Sequence, residues 1–443
     1  MIPSRRTYFL LILGIIIAPI LTIFIGISTS ITVILLFDAA ILLLMLVDNW
    51  RLQNNRVEIT REVPPRLSIG RDNPIQLTVK SQKSPAIVEI CDYYPGGFGV
   101  SNSKLRAAIP ANSTQELTYT VHPTQRGEFA WGDIQVRQLS AWGLTWNDRK
   151  IPQSFKIKVY PDLMGLRSLS IRLTLQSSGS IRKLRNMGIG TEFAELRNYR
   201  TGDDLRFIDW KATARRSSTY GNSPPLVRVL EPEQEQTLMI LLDRGRLMTA
   251  RVQNLQRFDW GLNAALSLAL AGLHRGDKVG VGVFDRSIHT WIPPERGQNQ
   301  LNHLIDRLTP IQPVLMESDY LSAVTKVVQQ QTRRCLVVLI TDIVDATASN
   351  ELLAALTRLS PRYLPFCVTL RDPKVDDLAH TSSIEKGVTG AYNRAVALDL
   401  LSQRQVAFAQ LKQKGVLVLD APANQITDKL VDRYLQLKAR NQI

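Results

Sequence analysis

Hydrophobic positions along the chain change rhythm three times. Tyr8 to Ile27 is uncharged and long enough, as a helix, to cross a hydrocarbon core of about 30 Å. Ser28 to Ser30 form a polar break, and Ile31 to Val47 is apolar again except for Asp38. A secretory leader has a shorter apolar run, a small-residue cleavage site and no second span. The pattern therefore predicts a hairpin of two transmembrane helices within residues 1–54. Arg5 and Arg6 precede the first span, Arg51 and Arg56 follow the second, and the turn between them is uncharged. The positive-inside bias then places both ends, and all that follows, in the cytoplasm. Asp38 is expected to face the other helix or a neighbouring subunit, or to mark the end of its span.

Over residues 55–160 the rhythm becomes one of short alternating runs: VEITREV, IQLTVKS, AIVEICD, QELTYTVH, FAWGDIQVRQL and FKIKVYP. Turn signals such as SIGRDNP and YPGGFG separate them, which predicts a β-sandwich-like domain of roughly seven strands. Trp131 and Trp142 are expected to pack there. Over residues 235–443 continuous apolar strands (TLMILLD, KVGVGVFD, CLVVLITD, YLPFCVTL, VLVLD) alternate with helical periodicity, as in residues 252–274. That order predicts a doubly wound, mostly parallel sheet. The fold class is thus α/β, with two transmembrane helices, a β-rich domain and a doubly wound domain. Residues 161–234 form a segment joining the last two.

Charge and composition narrow the function. The net charge of +15 lies largely in residues 51–230, where 27 basic groups (15 and 12) face 15 acidic ones (9 and 6). Because the two signs are interleaved, the excess suits a lipid surface near the anchor better than nucleic acid, which is not expected as a partner. Cys91, Cys335 and Cys367 lie far apart and are expected as buried thiols in a reducing compartment. The chain has no Walker-type phosphate loop, no His-Glu-x-x-His and no Gly-x-Ser-x-Gly. Its five histidines are scattered, and no catalytic residue is assigned.

Two places carry candidate chemistry. In parallel sheets ligands bind beyond the carboxyl ends of the strands, where Asp243 and Asp342 fall, with Asp345 and the Ser318–Asp319 pair near them. The second place is Gly188 to Arg215 (GIGTEFAELRNYRTGDDLRFIDWKATAR), where five carboxylates, four arginines, a lysine and Trp210 crowd into 28 residues. Asp203 or Asp204, after Gly202, is the expected N-cap of a helix reaching Arg215. On that helix Arg206 is placed to pair with Asp209.

The stretch resembles the signature of the bacterial domain-of-unknown-function 58 family, in the pattern Gly-x-Gly-x-Glu-Phe-x-x-Leu-Arg-x-Tyr-x-x-Gly-Asp-Asp-x-Arg-x-Ile-Asp-Trp-x-Ala-Thr-Ala-Arg. The residues that carry the match include Glu192, Arg197, Tyr199, Asp203, Asp204, Arg206, Asp209, Trp210, Thr213 and Arg215. The resemblance implies a protein of the bacterial inner membrane with its soluble domains in the cytoplasm. It also implies a von Willebrand factor A-like α/β domain, and frequent encoding beside a MoxR-type AAA+ ATPase in assembly or maturation of other proteins. The von Willebrand A domain holds Mg²⁺ through a first-strand Asp-x-Ser-x-Ser, a threonine and a further aspartate. Here Asp243 keeps the aspartate, but Gly245 and Leu247 stand at the serine positions. Asp243, Asp319 and Asp342 are therefore a degenerate metal site, and no cofactor is expected.

Three functions follow. The first is a membrane-tethered adaptor whose signature is a salt-bridged clasp or a docking site for the ATPase. The second is a metal-dependent hydrolase using the acidic signature residues. The third is nucleic-acid binding. The first is the expectation, with the client protein unspecified.

Overall fold

The computed structural model describes residues 1–25, 27–179, 192–220, 224–231, 236–343, 350–380 and 387–440. The chain is a mixed α/β protein with two compact units, Met1–Asp162 and Leu163–Ile443.

The first unit begins with a short strand, β1 (Ile2–Pro3), then helices α1 (Arg5–Ile25) and α2 (Ile27–Asn54). Among the described residues one helical segment, Thr29–Asn54, is long and apolar enough to cross a membrane, where the sequence pattern predicts two. Ser28–Ser30, read from sequence as a break, are helical, and the Thr32 hydroxyl donates to the Thr29 carbonyl at 3.2 Å. A polar hydroxyl that bonds back to its own helix does not end it. Asp38 Oδ1 lies 3.7 Å from the position a Cβ would take on Gly14, so this carboxylate faces α1 as expected.

Three sheets follow. One holds, in spatial order, β1, β11 (Thr145–Ile151), β10 (Ile134–Leu139), β5 (Ala86–Asp92) and β7 (Leu105–Ile109). A second holds β2 (Glu58–Glu62), β4 (Asn73–Lys80), β8 (Thr114–Pro123) and β6 (Phe98–Val100), and the third β3 (Leu67–Ser68), β12 (Phe155–Tyr160) and β9 (Gly127–Trp131). The expected alternation is present: Ile75, Leu77 and Val79 of β4 are buried, as are Val88 and Ile90 of β5. Two expectations change. FAWGDIQVRQL is two strands in different sheets, because Gly132 and Asp133 turn away to bond the Tyr93 backbone at 2.8 and 3.2 Å. Cys91 is only half-buried, whereas Cys335 and Cys367 are buried.

The second unit contains α3 (Leu163–Gly179), then β13 (Glu192–Asn198), α4 (Trp210–Tyr220) and β14 (Leu226–Glu231). A six-stranded sheet follows, built from β15 (Thr237–Asp243), β18 (Lys278–Phe284), β19 (Ile288–Glu295), β20 (Leu336–Thr341), β21 (Leu364–Arg371) and β22 (Leu417–Pro422). Its order is β19-β18-β15-β20-β21-β22, parallel except for β19. A small hairpin of β16 (Arg251–Val252) and β17 (Leu255–Gln256) leads into α5 (Arg257–His274). Gln256 and Asp259 close a capping box at the start of α5. Almost every residue of α5 from Phe258 to Gly272 is buried, the mark of a helix enclosed on all sides. The remaining helices are α6 (Gln298–Leu308), α7 (Tyr320–Gln330), α8 (Asn350–Thr357), α9 (Pro373–His380), α10 (Gly387–Gln413) and α11 (Ile426–Ala439). Neither α3 nor α9 is among the elements expected from the sequence, although α3 buries Leu166, Leu169 and Leu173 at helical spacing.

Candidate functional site

The carboxyl end of the parallel sheet is built from one repeated device, a strand followed by an aspartate. Asp243, Asp285 and Asp342 sit at the ends of their strands and are buried, and Asp420 lies in β22 two residues before its last. Three of the four meet arginines. Arg244 pairs with Asp285 at 2.6 Å. Arg257, from the start of α5, and Arg404, from α10, grip the two oxygens of Asp342 at 2.7 and 2.8 Å. Arg404 reaches on to Asp420 at 2.9 Å, and Arg371 joins Asp420 at 2.9 Å to Asp376 at 3.1 Å. The result is an alternating chain of six charges across three strand ends and three helices. Burial alone would lower the Arg404 pKa, but Asp342 and Asp420 together hold it above its ordinary value.

Asp243 is different, because its partners are neutral. It accepts from Ser318 Oγ at 2.5 Å, Thr341 Oγ1 at 2.6 Å, the Gly245 amide at 2.7 Å and Tyr320 OH at 3.2 Å. Ser318 arrives because the segment before α7 is bonded to the β15 loop, Val314 N to Arg244 O and Arg246 N to Met316 O. A Cβ on Gly245 would overlap Ser318 Oγ. A hydroxyl from the segment before α7 thus reaches Asp243, and Gly245 leaves the room for it. Of the three residues suggested as metal ligands, Asp243 is saturated by these donors and Asp342 by two guanidiniums. Asp319 caps α7, accepting from the Ser322 amide at 2.8 Å. Asp345 lies outside the described residues.

Burial raises the Asp243 carboxyl above its ordinary 3.8, against the pull of its donors. The folded chain therefore keeps this proton at pH values where the unfolded chain has released it. Its contribution to stability is whole below the ordinary value and declines as pH rises through the folded-state value. Relative to wild type, Asp243→Asn should gain in melting temperature from pH 4 upward across that window. A difference between the two proteins that stays constant with pH would show that Asp243 does not titrate this way.

The signature forms a small module of its own. β13 and β14 pair antiparallel, with Glu192 opposite Glu231, and the Tyr199 amide donates to Pro225 O at 2.7 Å. Arg197 pairs with Asp203 at 2.7 Å, and Asp203 also accepts from the Arg200 amide. Asp204 starts a single 3₁₀ turn, Leu205–Phe207, and pairs with Arg206 at 2.8 Å. Hydrogen bonds from Arg206 hold this exposed carboxyl below its ordinary value. The helix cap is Asp209, which accepts from the Ala212 amide at 2.9 Å and faces Arg228 at 3.5 Å. Thr213 Oγ1 donates to Asp209 O and accepts from the Leu226 amide, tying α4 to β14. Two expectations are therefore corrected. The helix begins at Trp210 rather than at Asp203 or Asp204, because Asp209 N and Ile208 are already engaged by β14. Arg206 pairs with Asp204, not Asp209, because the 3₁₀ turn puts it over its own cap. Arg215 and Trp210 are exposed, and Gly188 and Gly190 lie outside the described residues. Ser318, expected near Asp243 from sequence, is found bonded to it, whereas Tyr320, Thr341, Arg257, Arg404 and Asp420 were not singled out, although Asp420 repeats the apolar-run-then-aspartate pattern.

The family described as Protein of unknown function DUF58 matches residues 195–391, which run from β13 into α10. Uncharacterized protein Rv1480 of Mycobacterium tuberculosis and uncharacterized protein Mb1516 of Mycobacterium bovis are each 22% identical over 218 residues. Those matches cover 48% of this chain and 66% of each relative, slightly under two thirds of their length. Among solved structures, BatB from Bacteroides thetaiotaomicron aligns with 46% of this chain and 99% of its own, at 15% identity and a TM-score of 0.32. An aerotolerance-related membrane protein from Bacteroides fragilis aligns with 45% and 99%, at 16% identity and a TM-score of 0.30. Similarity at that level establishes neither a shared site nor a shared activity.

Proposed function

We propose that the chain is a membrane-anchored interaction protein that presents the 192–231 module to a partner. The anchor is the α1–α2 hairpin, with both helices spanning the inner membrane and the soluble units in the cytoplasm. The partner is a MoxR-type AAA+ ATPase, acting with this chain on the assembly or maturation of other proteins. The carrying observation is that Leu205 and Trp210 stand 65% and 66% exposed on a framework whose three aspartates are each already engaged. Asp203, Asp204 and Asp209 are neutralised by three separate arginines, Arg197, Arg206 and Arg228. A metal-dependent hydrolase needs such carboxylates to converge on one ion; here the three aspartates each point to their own guanidinium. An exposed tryptophan in an arginine-rich segment has the composition of a binding hot spot.

The strand-end cluster fits the same reading. The α/β unit is taken as von Willebrand A-like, with its ion position closed by internal charges. Mg²⁺ requires near-octahedral oxygen ligation, and Asp342 would first have to give up two arginines. We read the cluster as structural and the chain as non-enzymatic.

The test uses the full chain in detergent and a purified MoxR-type ATPase from the same genome. Trp210→Ala should weaken binding roughly 30-fold, the equivalent of a hot spot of about 2 kcal/mol, without moving the melting temperature. Unaltered affinity would remove the module from the interface.

A further inference from the structure

The five-stranded sheet of the first unit carries a second pattern on its outward face. Its registers align Ile2, Trp146, Leu139, Ile87 and Ala108 in one cross-strand row. Two residues further along each strand, on the same face, Asp148, Arg137, Glu89 and Arg106 form another row. The first row is apolar and partly open, with Ile2 at 40% and Ile87 at 38% exposure. The second alternates in sign.

This face lies at the foot of the anchor. β1 runs straight into α1, and the turn between β10 and β11 is bound by both helices. Ser4 Oγ and Thr7 Oγ1 each donate at 2.5 Å, to Gly143 O and Leu144 O. Asp48 of α2 accepts from the Trp142 and Leu144 amides at 3.3 and 3.4 Å, and Arg51 lies over the Trp142 ring at 4.8 Å. Gly143, at φ +71°, lets the turn pass beneath the Arg6 guanidinium. Ser4, Thr7 and Asp48 are buried, so the joint is a fixed one.

A cavity of about 450 Å³ opens there, and a second of about 420 Å³ shares Arg6, Ile87, Leu139 and Gly143 with it. Arg5, Arg6, Arg106 and Arg137 line the larger one against a single carboxylate, Glu89, which leaves a net charge of +3. Arg106 is held only loosely by Glu89, at 3.7 Å, while Arg137 is matched by Asp148 at 2.9 Å. Arg5 and Arg6 are exposed and carry no ion pair among the described residues.

We propose that this groove binds an anionic phospholipid. The phosphate sits among Arg5, Arg6 and Arg106, and the glycerol and upper acyl chain lie on the Ile2–Trp146–Leu139–Ile87 row. A phosphate ion would use the charge alone. A ligand with adjacent polar and apolar parts uses both rows, and basic pockets beside membrane helices hold lipid headgroups in this way. The inference rests on the anchor of the proposed function and not on the ATPase.

The experiment uses the full chain, purified in neutral detergent and offered phosphatidylglycerol or phosphatidylcholine, with retained lipid counted by native mass spectrometry. Wild type should retain phosphatidylglycerol and not phosphatidylcholine. Arg6→Gln combined with Arg106→Gln should reduce retention at least tenfold with an unchanged melting temperature. Should that double variant unfold, Arg106→Gln alone, at an exposed side chain, should still reduce retention measurably. Liposome flotation is the parallel control. A wild-type chain that fails to float contradicts the anchor and this site together. A chain that floats but retains both lipids equally, or whose variants retain phosphatidylglycerol unchanged, contradicts the site alone. Inorganic phosphate binding as tightly as short-chain phosphatidylglycerol contradicts the lipid assignment.

Discussion

Arg404→Met should lower the melting transition of the α/β unit by about 10 °C, the equivalent of roughly 3–5 kcal/mol for a unit of this size. Arg404 is 8% exposed and holds Asp342 and Asp420 at once, while its guanidinium also donates to the Ile343 carbonyl and lies over the Phe408 ring at 5.7 Å. Removing it leaves Asp342 with the single cation Arg257, and Asp420 with the single cation Arg371 and the Thr369 hydroxyl, in surroundings that water barely reaches. The cost comes from the abandoned charges more than from the lost attraction, which is why methionine, similar in bulk, should not rescue the fold. Calorimetry of the full chain in detergent reads the effect. A shift below about 2 °C, less than one kcal/mol on the same scale, would show that the charge chain does not hold the strand ends together.

Arg61→Met should act as strongly in the β-rich unit. Arg61 pairs with Asp92, and the same guanidinium donates to the carbonyls of Gly132 and Gln153. It lies over the rings of Phe155 and Trp131 at 5.1 and 5.5 Å. Asp92 in turn accepts from Tyr119 OH at 2.5 Å and Trp131 Nε1 at 3.2 Å. Burial lowers the Arg61 pKa and raises that of Asp92, so each ion persists in the core only through the other and its hydrogen bonds. The expected loss is again about 3–5 kcal/mol. Arg61→Met together with Asp92→Leu should recover part of it, because no orphan charge remains. A double variant no more stable than the single one would show that the hydrogen bonds, rather than the charge balance, carry this hub.

Both hubs show where the sequence is legible and where it is not. Period and run length located the strands of the parallel sheet, because a buried strand needs an unbroken apolar run and nothing else competes for that pattern. They also placed Asp243 and Asp342 at strand ends. The groups that answer these aspartates are far away in sequence: Arg404 is 62 residues from Asp342, and Ser318 and Thr341 are 75 and 98 residues from Asp243. A lone arginine in an amphipathic helix reads as a solvated charge until the fold brings a carboxylate to it. The signature was misread locally for a related reason. Asp203, Asp204 and Asp209 are all chemically fit to cap a helix. The choice among them is made by β14, which takes up Ile208 and the Asp209 amide from across the module. In the β-rich unit, LRAAI and TWNDRKI are strands whose alternation is too irregular to stand out. Ser318 was legible as a neighbour of Asp243 but not as its hydrogen-bond donor, since that role exists only because position 245 lacks a side chain.

The central claim is that the signature is a surface for a partner and not a site of chemistry. Site-specific photo-cross-linking from position 210, in cells carrying the full chain, tests it most directly. The account predicts an adduct between position 210 and a MoxR-type AAA+ ATPase, and none from a control position at Lys104, on the exposed surface of the other unit. Cross-links from position 210 only to lipid or to the chain itself would contradict it, as would an ATPase adduct of equal yield from Lys104.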